Sequence, residues 1–462
     1  MASILRRIHL ARRLREEIAG GLLTDHHRVG FLARRDLHNF RDSGRLLCLV
    51  LIVSVLMGVA AWAFLSSLSF VTHVREGQPA LFLLLPVVGV LTVWLYRTYG
   101  GRATKGNNLV IESAGTGLLI KARMAILTFT CSVATHLAGG SAGREGTAVQ
   151  IGGTIASNVS GLAKLKTYDH RDLVLAGISA AFGAVFGTPL AGAFFGMEMC
   201  FVGKLEYGVA LYCLVASFTG DAVARFLGAH HGVNLITAVP ALSIKTLGLS
   251  LVAAIIFGWI ARLFTALIRT IKQLYARWAG HYIVPILAGS IVLTLLFLFT
   301  GARHYAGLSE WMVPAAFAGK TSLIDVASKL ILTCLTLGTG FQGGEVTPLF
   351  GIGAALGGWL GTLVGLDPTL PAALGMLAVF GSALNVPVTT IMLAIDLFGG
   401  VGMHYFVIVV FVSYFITGHH GVYTAQRIMS PKRRSLTPDA RHTVAEAIAH
   451  VEEMNPVDTK SE

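Results

Sequence analysis

Charge is what this sequence has least of. Only 13% of its 462 residues are Asp, Glu, Lys or Arg, about half the share found in an ordinary soluble domain. No long polar stretch interrupts the middle of the chain, which excludes a multi-domain soluble enzyme, and a composition this apolar excludes disorder. Paired cysteines are also missing. Cys48, Cys131, Cys200, Cys213 and Cys334 are odd in number, lie in apolar segments and form no C-x-x-C pair. They read as small buried hydrophobes, with no disulfide framework and no metal site. The chain carries no H-E-x-x-H, no G-x-S-x-G and no paired intramembrane aspartates, so a membrane-embedded protease fails on motifs. No cofactor is indicated.

What is present is apolar residue and glycine. Hydrophobic residues make up 54% of the chain and glycine accounts for 53 positions. Mean hydropathy is +0.69. These values predict a polytopic membrane protein. The apolar stretches are continuous blocks rather than alternating ones, which argues against an outer-membrane β-barrel. A first span is expected over 46–70, and further blocks fall near 80–96, 118–138, 173–200, 206–227, 246–268, 282–300, 322–338, 348–366, 371–398 and 404–418. Before the first span stand ten arginines, from Arg6 to Arg45, in a basic region that does not resemble a signal peptide. After the last block come Lys432, Arg433, Arg434 and Arg441. The positive-inside rule then places both ends in the cytoplasm, with an even number of crossings. Anionic lipid accounts for the net charge of +12 more cheaply than nucleic acid does. The expected organisation is a basic N-terminal region (1–45), two transmembrane repeats (46–228 and 229–428) and a short cytoplasmic tail (429–462).

The two repeats are visible in the letters. Phe182-Gly-Ala-Val-Phe-Gly-Thr-Pro-Leu190 reads against Phe380-Gly-Ser-Ala-Leu-Asn-Val-Pro-Val388, and an acidic residue follows each proline by nine places, at Glu198 and Asp396. Upstream, Gly143-Arg144-Glu145-Gly146-Thr147 reads against Gly343-Gly344-Glu345-Val346-Thr347. Gly and Pro interrupt several blocks at corresponding places in the two halves. That is the pattern of inverted-repeat transporters built from broken helices, with a binding site between the repeats near the midplane.

Glu145 sits between glycines just before an apolar segment. A carboxylate there complements the start of a helix, or it does more. Amides at a helix N-terminus form an anion site. An ionised Glu145 occupies that site itself; a protonated one leaves it to a small anion. One residue would then link proton and anion movement.

The segment Gly-Arg-Glu-Gly-Thr-Ala-Val-Gln-Ile-Gly-Gly closely resembles the glutamate-gate signature of the CLC family of chloride channels and anion/proton antiporters. Lys105-Gly106-Asn107-Asn108-Leu109, Gly340 to Pro348 and Tyr423 in Gly-Val-Tyr-Thr-Ala-Gln fall in the order of that family's other anion loops. The resemblance spans roughly 46–428. It implies an all-α polytopic membrane fold with two inverted-topology repeats, assembled as a homodimer with one pore per subunit. It also implies anion contacts at Gly106, Asn107, Asn108, Gly143, Arg144, Gly146, Thr147, Gly344, Val346, Thr347 and Tyr423. A tail this short leaves no room for the paired nucleotide-sensing domains of many eukaryotic members, so regulation by ATP is not expected.

Within the family, the chain departs from the chloride pattern. Asn107 stands where chloride types have a loop serine, Thr147 follows the gate where they have proline, and Glu345 and Thr347 replace apolar or small residues. Met199 stands at the internal proton-accepting glutamate. Together these changes resemble the fluoride/proton antiporter branch. Fluoride is small and strongly hydrated, so stripping its water needs compact donors. Asn107 or Asn108 can supply amide hydrogens and Thr347 a hydroxyl. Asn108 also has a plainer role, capping the helix expected to start near Leu109. Glu345 is read as the mirror of Glu145 across the repeat, its carboxyl raised in pKa by burial and able to donate to fluoride or to relay protons. Tyr423 is read as a hydroxyl near the anion path, His136 as a satisfied core residue, and Glu198 and Asp396 as helix-end or interface charges. The expected activity is proton-driven fluoride export; the alternative is a chloride/proton antiporter or chloride channel of the same fold.

Overall fold

Apolar runs without proline give the long helices, and each Gly or Asn placed before a proline ends one. The computed structural model describes residues 43–232, 234–277, 283–433 and 440–454. Arg6 to Arg41 of the basic N-terminal region, and Arg434 of the tail, lie outside these residues. The described residues up to Leu49 are the first turns of α1 (Ser43–Gly77), and the body considered from here is Val50–Glu462. Then follow α2 (Leu85–Leu95), α3 (Asn107–Thr116), α4 (Arg123–Leu137), α5 (Glu145–Leu162), α6 (Thr167–Phe186), α7 (Pro189–Glu198), α8 (Ala210–Phe226) and α9 (Ile244–Ala276). The second half supplies α10 (Ile283–Phe299), α11 (Met312–Phe317), α12 (Leu323–Thr339), α13 (Val346–Leu363), α14 (Thr369–Leu384), α15 (Pro387–Phe398) and α16 (Met403–Thr417), and the tail ends in α17 (Val444–Met454). Strands β1 (Phe201–Val202) and β2 (Arg427–Ile428) pair in parallel. Among the described residues, five helical stretches are long and apolar enough to cross a membrane, including Ser43–Gly77, Ile244–Ala276 and Val346–Leu363. The protein is an all-α, multi-pass membrane protein.

The apolar block 173–200 is two helices, and so is 371–398. In each, the first helix stops on a left-handed residue: Gly187 at φ 69° after α6 and Asn385 at φ 61° after α14. One non-helical residue follows, Thr188 or Val386, and a proline opens the next helix, where its missing N–H is no loss.

Starting a helix at membrane depth leaves amide hydrogens without water to accept them. The two halves solve this for each other. The Glu198 carboxylate, at the end of α7, accepts from the main-chain N of Val388 (3.1 Å) and Thr389 (2.7 Å) and from the Thr389 hydroxyl (2.7 Å), at the start of α15. The Asp396 carboxylate, in α15, accepts from the main-chain N of Ala191 (2.8 Å), at the start of α7. Reciprocal contacts of this kind are those of an axis relating two similar units. Glu198 and Asp396 are thus interface charges at helix starts, as their sequence positions suggest.

The repeat register differs between segments. Glu198 and Asp396, like Ala191 and Thr389, are 198 residues apart. Around the gate the spacing is 201: Glu145 and Val346 open α5 and α13, and Gly143 faces Gly344. The letter match at a spacing of 200 is therefore one residue out. Glu345 is not the structural mirror of Glu145; it mirrors Arg144, each residue standing just before its helix. One residue is about 100° of helix rotation, which sends the two carboxylates in different directions.

Small residues let the helices of each repeat touch. A Cβ on Gly152 of α5 would lie 2.4 Å from the Gly177 carbonyl oxygen of α6. One on Gly353 of α13 would lie 2.2 Å from the Gly375 carbonyl oxygen of α14. Gly353→Val and Gly152→Val should each destabilise the detergent-solubilised protein by about 1–3 kcal/mol, the usual cost of overpacking. Thermal unfolding measures this, and an unchanged midpoint in both variants would contradict the packing described.

Candidate functional site

The two halves meet main chain to main chain just ahead of α5 and α13. Gly143 and Gly344 form an antiparallel bridge in which each N–H donates to the other's carbonyl oxygen, at 2.6 and 2.7 Å. A Cβ on Gly143 would lie 2.8 Å from Pro348 Cδ and 3.0 Å from Thr347 N, and one on Gly344 would lie 2.6 Å from Gly146 N. Only glycine fits at either place. The bridge brings the N-termini of α5 and α13 together, so two sets of unpaired amides and two positive dipole ends converge. The sequence places both glycines here.

Glu145, the first residue of α5, is 2% exposed. Its carboxylate leaves its own helix and caps the other repeat. It accepts from Thr347 N at 3.1 Å and from the Thr347 hydroxyl at 2.6 and 2.7 Å, the two distances being to its two oxygens. Arg144 N adds a bond at 3.2 Å. The Arg144 guanidinium lies 3.4 Å from Glu145 on one side and 3.2 Å from Glu310 on the other, where Glu310 is largely exposed. Hydrogen bonds to an ionised acceptor are the strong ones. Glu145 thus satisfies main-chain N–H groups at the starts of both helices.

Beside it lies a group of buried polar atoms without partners. Glu345 Oε2, Asn107 Oδ1 and the Tyr423 hydroxyl have none in the structure. Glu345 Oε2 and Asn107 Nδ2 stand 2.9 and 3.0 Å from the point a Cβ on Gly146 would occupy. The missing Cβ leaves a small cradle with an acid on one side and an amide on the other. Both Glu345 and Glu145 lie near enough to Tyr423 for their charge to act on its hydroxyl. A buried polar atom left alone is costly, and three together mark a place for something polar that comes and goes.

The other expected residues divide. Gly106, at φ 57°, turns the chain into α3 and precedes Asn107, which opens that helix. Asn108 does not cap α3; that helix starts two residues before Leu109, and the Asn108 Oδ1 accepts from Ala425 N at 3.0 Å. Asn108 thus ties the Tyr423 loop to α3. Thr147 is fully buried, and its hydroxyl donates to Ser132 Oγ at 3.0 Å rather than facing the cradle. The Thr347 hydroxyl is engaged by Glu145. Val346 contributes the start of α13. His136 is a core residue with both ring nitrogens on carbonyl oxygens, of Ser132 (2.8 Å) and Ala142 (3.2 Å).

Sequence reasoning missed the residues that hold Tyr423. Gln426 Nε2 donates to the carbonyls of Met199 and Leu384, both at 2.8 Å, and its Oε1 accepts from Asn385 Nδ2 at 3.0 Å. Val422 N donates to the Ala383 carbonyl at 2.9 Å. Buried Lys432 reaches Asn385 Oδ1 at 2.6 Å. The stop residue of α14 thus anchors a loop from the far end of the chain, a contact no local pattern announces. A cavity of about 590 Å³, lined by Asn108, Arg269, Lys272, His420 and Val422 among others, opens beside this loop and is rimmed with cations.

Broken helices whose starts converge on a shared carboxylate define a membrane transport site. The family model of the voltage gated chloride channel matches residues 87–418. A chloride/fluoride channel protein of Pseudomonas syringae pv. tomato is 35% identical over 400 residues, 85% of this chain and 88% of the relative. An H(+)/Cl(-) exchange transporter ClcA of Salmonella arizonae is 26% identical over 402 residues, 80% and 84% of the two chains. Among solved structures, a CLC-type fluoride/proton antiporter matches with a TM-score of 0.80 at 35% identity, over 83% of this chain and 98% of that one. A slow cyanobacterial Cl-/H+ antiporter shares the fold, with a TM-score of 0.71 at 18% identity over 90% and 99% of the two chains. The chain belongs to the voltage-gated chloride channel, or CLC, family.

The Thr347 hydroxyl lies on both carboxylate oxygens of Glu145, and the main chain alone would hold that carboxylate less firmly. Thr347→Val should reduce protons moved per anion by at least about twofold, in line with the loss of one charge-assisted hydrogen bond. Thr347→Ser should restore the ratio. Simultaneous anion and pH recording on proteoliposomes reads it; an unchanged ratio in Thr347→Val would remove Thr347 from the gate.

Proposed function

We propose that the protein is a fluoride/proton antiporter that exports fluoride from the cytoplasm, with Glu145 as its protonatable gate. The observation that carries this reading is that Glu145 sits on the amide and hydroxyl of Thr347 while Asn107, Glu345 and Tyr423 present unpartnered polar atoms beside it. The similarity to a CLC-type fluoride/proton antiporter structure supports the choice of anion.

In the proposed cycle, ionised Glu145 closes the path by acting as the anion. Protonation removes its charge, weakens the bonds from Thr347 and Arg144 N, and lets the carboxyl swing away. The freed amides and the Thr347 hydroxyl then face the path. Fluoride enters with Asn107 supplying compact donors in place of water. Glu345, half-buried with its Oε2 enclosed and without a donor, is costly as a bare charge, so it serves in the protonated form, donating to fluoride or passing a proton on. Gly143, Gly344, Gly146 and Val346 contribute main chain at the meeting of the helices, and Tyr423 lines the path from the cation-rimmed cavity. Hydrogen fluoride enters cells neutral and dissociates in the less acidic interior, so an exporter driven by inward protons answers the resulting load.

The assembly we propose is a homodimer in the inner membrane with both termini cytoplasmic, one pore per subunit, and repeats over 46–228 and 229–428. Apolar side chains exposed on α8 and α16, such as Leu211, Phe218, Val407 and Phe415, suit lipid or a second copy. Chloride exchange is the second reading, supported by relatives such as the ClcA exchanger.

From liposomes loaded with either anion, fluoride should leave more than about tenfold faster than chloride, equivalent to about 1.4 kcal/mol. Equal rates, or faster chloride, would favour the second reading. Glu145→Gln should abolish anion-driven proton uptake; proton movement at the wild-type rate would remove Glu145 from coupling. Glu345→Ala should impair coupled transport in protein that stays folded. Glu345→Gln keeps a donor but not the titration. Wild-type coupling in Glu345→Gln would leave only the donor role, and wild-type coupling in Glu345→Ala as well would leave neither.

A further inference from the structure

Gln150 lies on α5 one turn beyond Gly146, hence on the same face of the helix, and is 4% exposed. Its Oε1 accepts from the Thr128 hydroxyl at 3.0 Å, and Thr128 Oγ1 lies 2.9 Å from the Tyr96 hydroxyl. A threonine hydroxyl has one hydrogen. Because Thr128 gives it to Gln150, Tyr96 must donate to Thr128. In this arrangement the amide oxygen faces Thr128 of α4 and the NH₂ group faces the opening of α3.

The NH₂ group meets nothing that accepts it. Among the described residues, no hydrogen bond of Gln150 Nε2 is found. Nε2 is the atom nearest to the place a Cβ on Gly106 would take, at 3.4 Å. Gly106 immediately precedes Asn107, whose Nδ2 stands at the Gly146 cradle and whose Oδ1 is itself without a partner. Two side-chain amides, from α3 and α5, thus flank one loop with donors unused. Both residues are almost wholly buried, yet neither NH₂ group has an acceptor among the described residues, and the face they present carries the donors a small anion needs. Glu345 at the same cradle supplies at most one acid hydrogen and no fixed cation, so the remaining donors to an anion come from such amides, the Thr347 hydroxyl and main chain.

We infer that Gln150 is a specificity-determining residue of the anion path, donating to dehydrated fluoride together with Asn107, and that Thr128 and Tyr96 are positioning residues that aim its amide. This rests on the fluoride reading above. Fluoride, the smaller anion and the stronger acceptor, depends on each donor more than chloride does. A site built to hydrogen-bond its ligand discriminates strongly through such groups, whereas a purely structural tie between α4 and α5 would affect both anions alike.

The test is efflux of fluoride and of chloride, measured separately, from proteoliposomes holding the full-length wild type, Gln150→Leu, Thr128→Val or Thr128→Ser. The fluoride-to-chloride rate ratio should fall by about tenfold in Gln150→Leu. It should fall in the same direction in Thr128→Val and recover in Thr128→Ser, which keeps the hydroxyl. If the wild type shows no preference for fluoride, the fluoride reading itself fails. If the wild type prefers fluoride and Gln150→Leu keeps the full ratio, the role of Gln150 is overturned while the fluoride reading stands. If Gln150→Leu does not yield folded protein, the Thr128 pair decides: a lowered ratio rescued by serine supports the inference, and a ratio equal to wild type in Thr128→Val overturns it.

Discussion

A main-chain amide at membrane depth must have an acceptor, and this protein starts helices there. That constraint organises the rest. A broken helix that begins inside the body needs something negative or polar at its first turn, and at three such starts the opposite half supplies it. Glu198 serves α15, Asp396 serves α7, and Glu145 serves α13. The Gly143–Gly344 bridge fixes the distance at which α5 and α13 face one another. The glycine content of the chain follows from the same requirement, because helix starts and neighbouring helices approach closely where a Cβ would collide with main chain.

Of the three carboxylates, Glu145 is the one in the midst of unused polarity. Glu198 is tied by three donors at the start of α15, and Asp396 has its place at α7. Beside Glu145 the structure gathers Glu345 Oε2, Asn107 Oδ1 and the Tyr423 hydroxyl, none of them paired. In the function proposed above, this capped helix start is an anion site and Glu145 its removable plug. The same donors that stabilise the carboxylate stabilise the anion that replaces it, so the two compete. In such a site the chemistry of coupling is competition for donors, and the choice of anion depends on how many compact donors remain once water is gone.

Much of this was legible in the sequence because it is local. Glycine, arginine and glutamate ahead of an apolar run announce a helix start with an acid on it, and Gly-Thr-Pro and Asn-Val-Pro announce broken helices with correct boundaries. Glu198 and Asp396 read from the sequence as helix-end or interface charges, and each caps a helix start of the opposite repeat. What depended on register or distance was not legible. Matching letters paired Glu345 with Glu145, whereas the helix starts pair it with Arg144; identity of residues cannot reveal a one-residue slip that reverses which side a carboxylate faces. Asn108 looked like a cap because asparagine before an apolar run usually is one, yet its oxygen serves Ala425, 317 positions away. The clasp of Gln426, Asn385 and Lys432 around Tyr423 joins segments far apart in the chain, and Gln150 looked like one polar residue in a helix until Thr128 and Tyr96 were seen to aim it.

Wild-type protein alone tests whether anion and proton exchange for one another. Proteoliposomes loaded with fluoride, at equal pH on both sides and with membrane voltage clamped near zero by potassium and valinomycin, would be followed with a fluoride electrode and a pH electrode together. The account predicts that outward fluoride flow drives protons inward in fixed proportion, building a pH gradient from none. Fluoride leaving at speed with no movement of protons would contradict it.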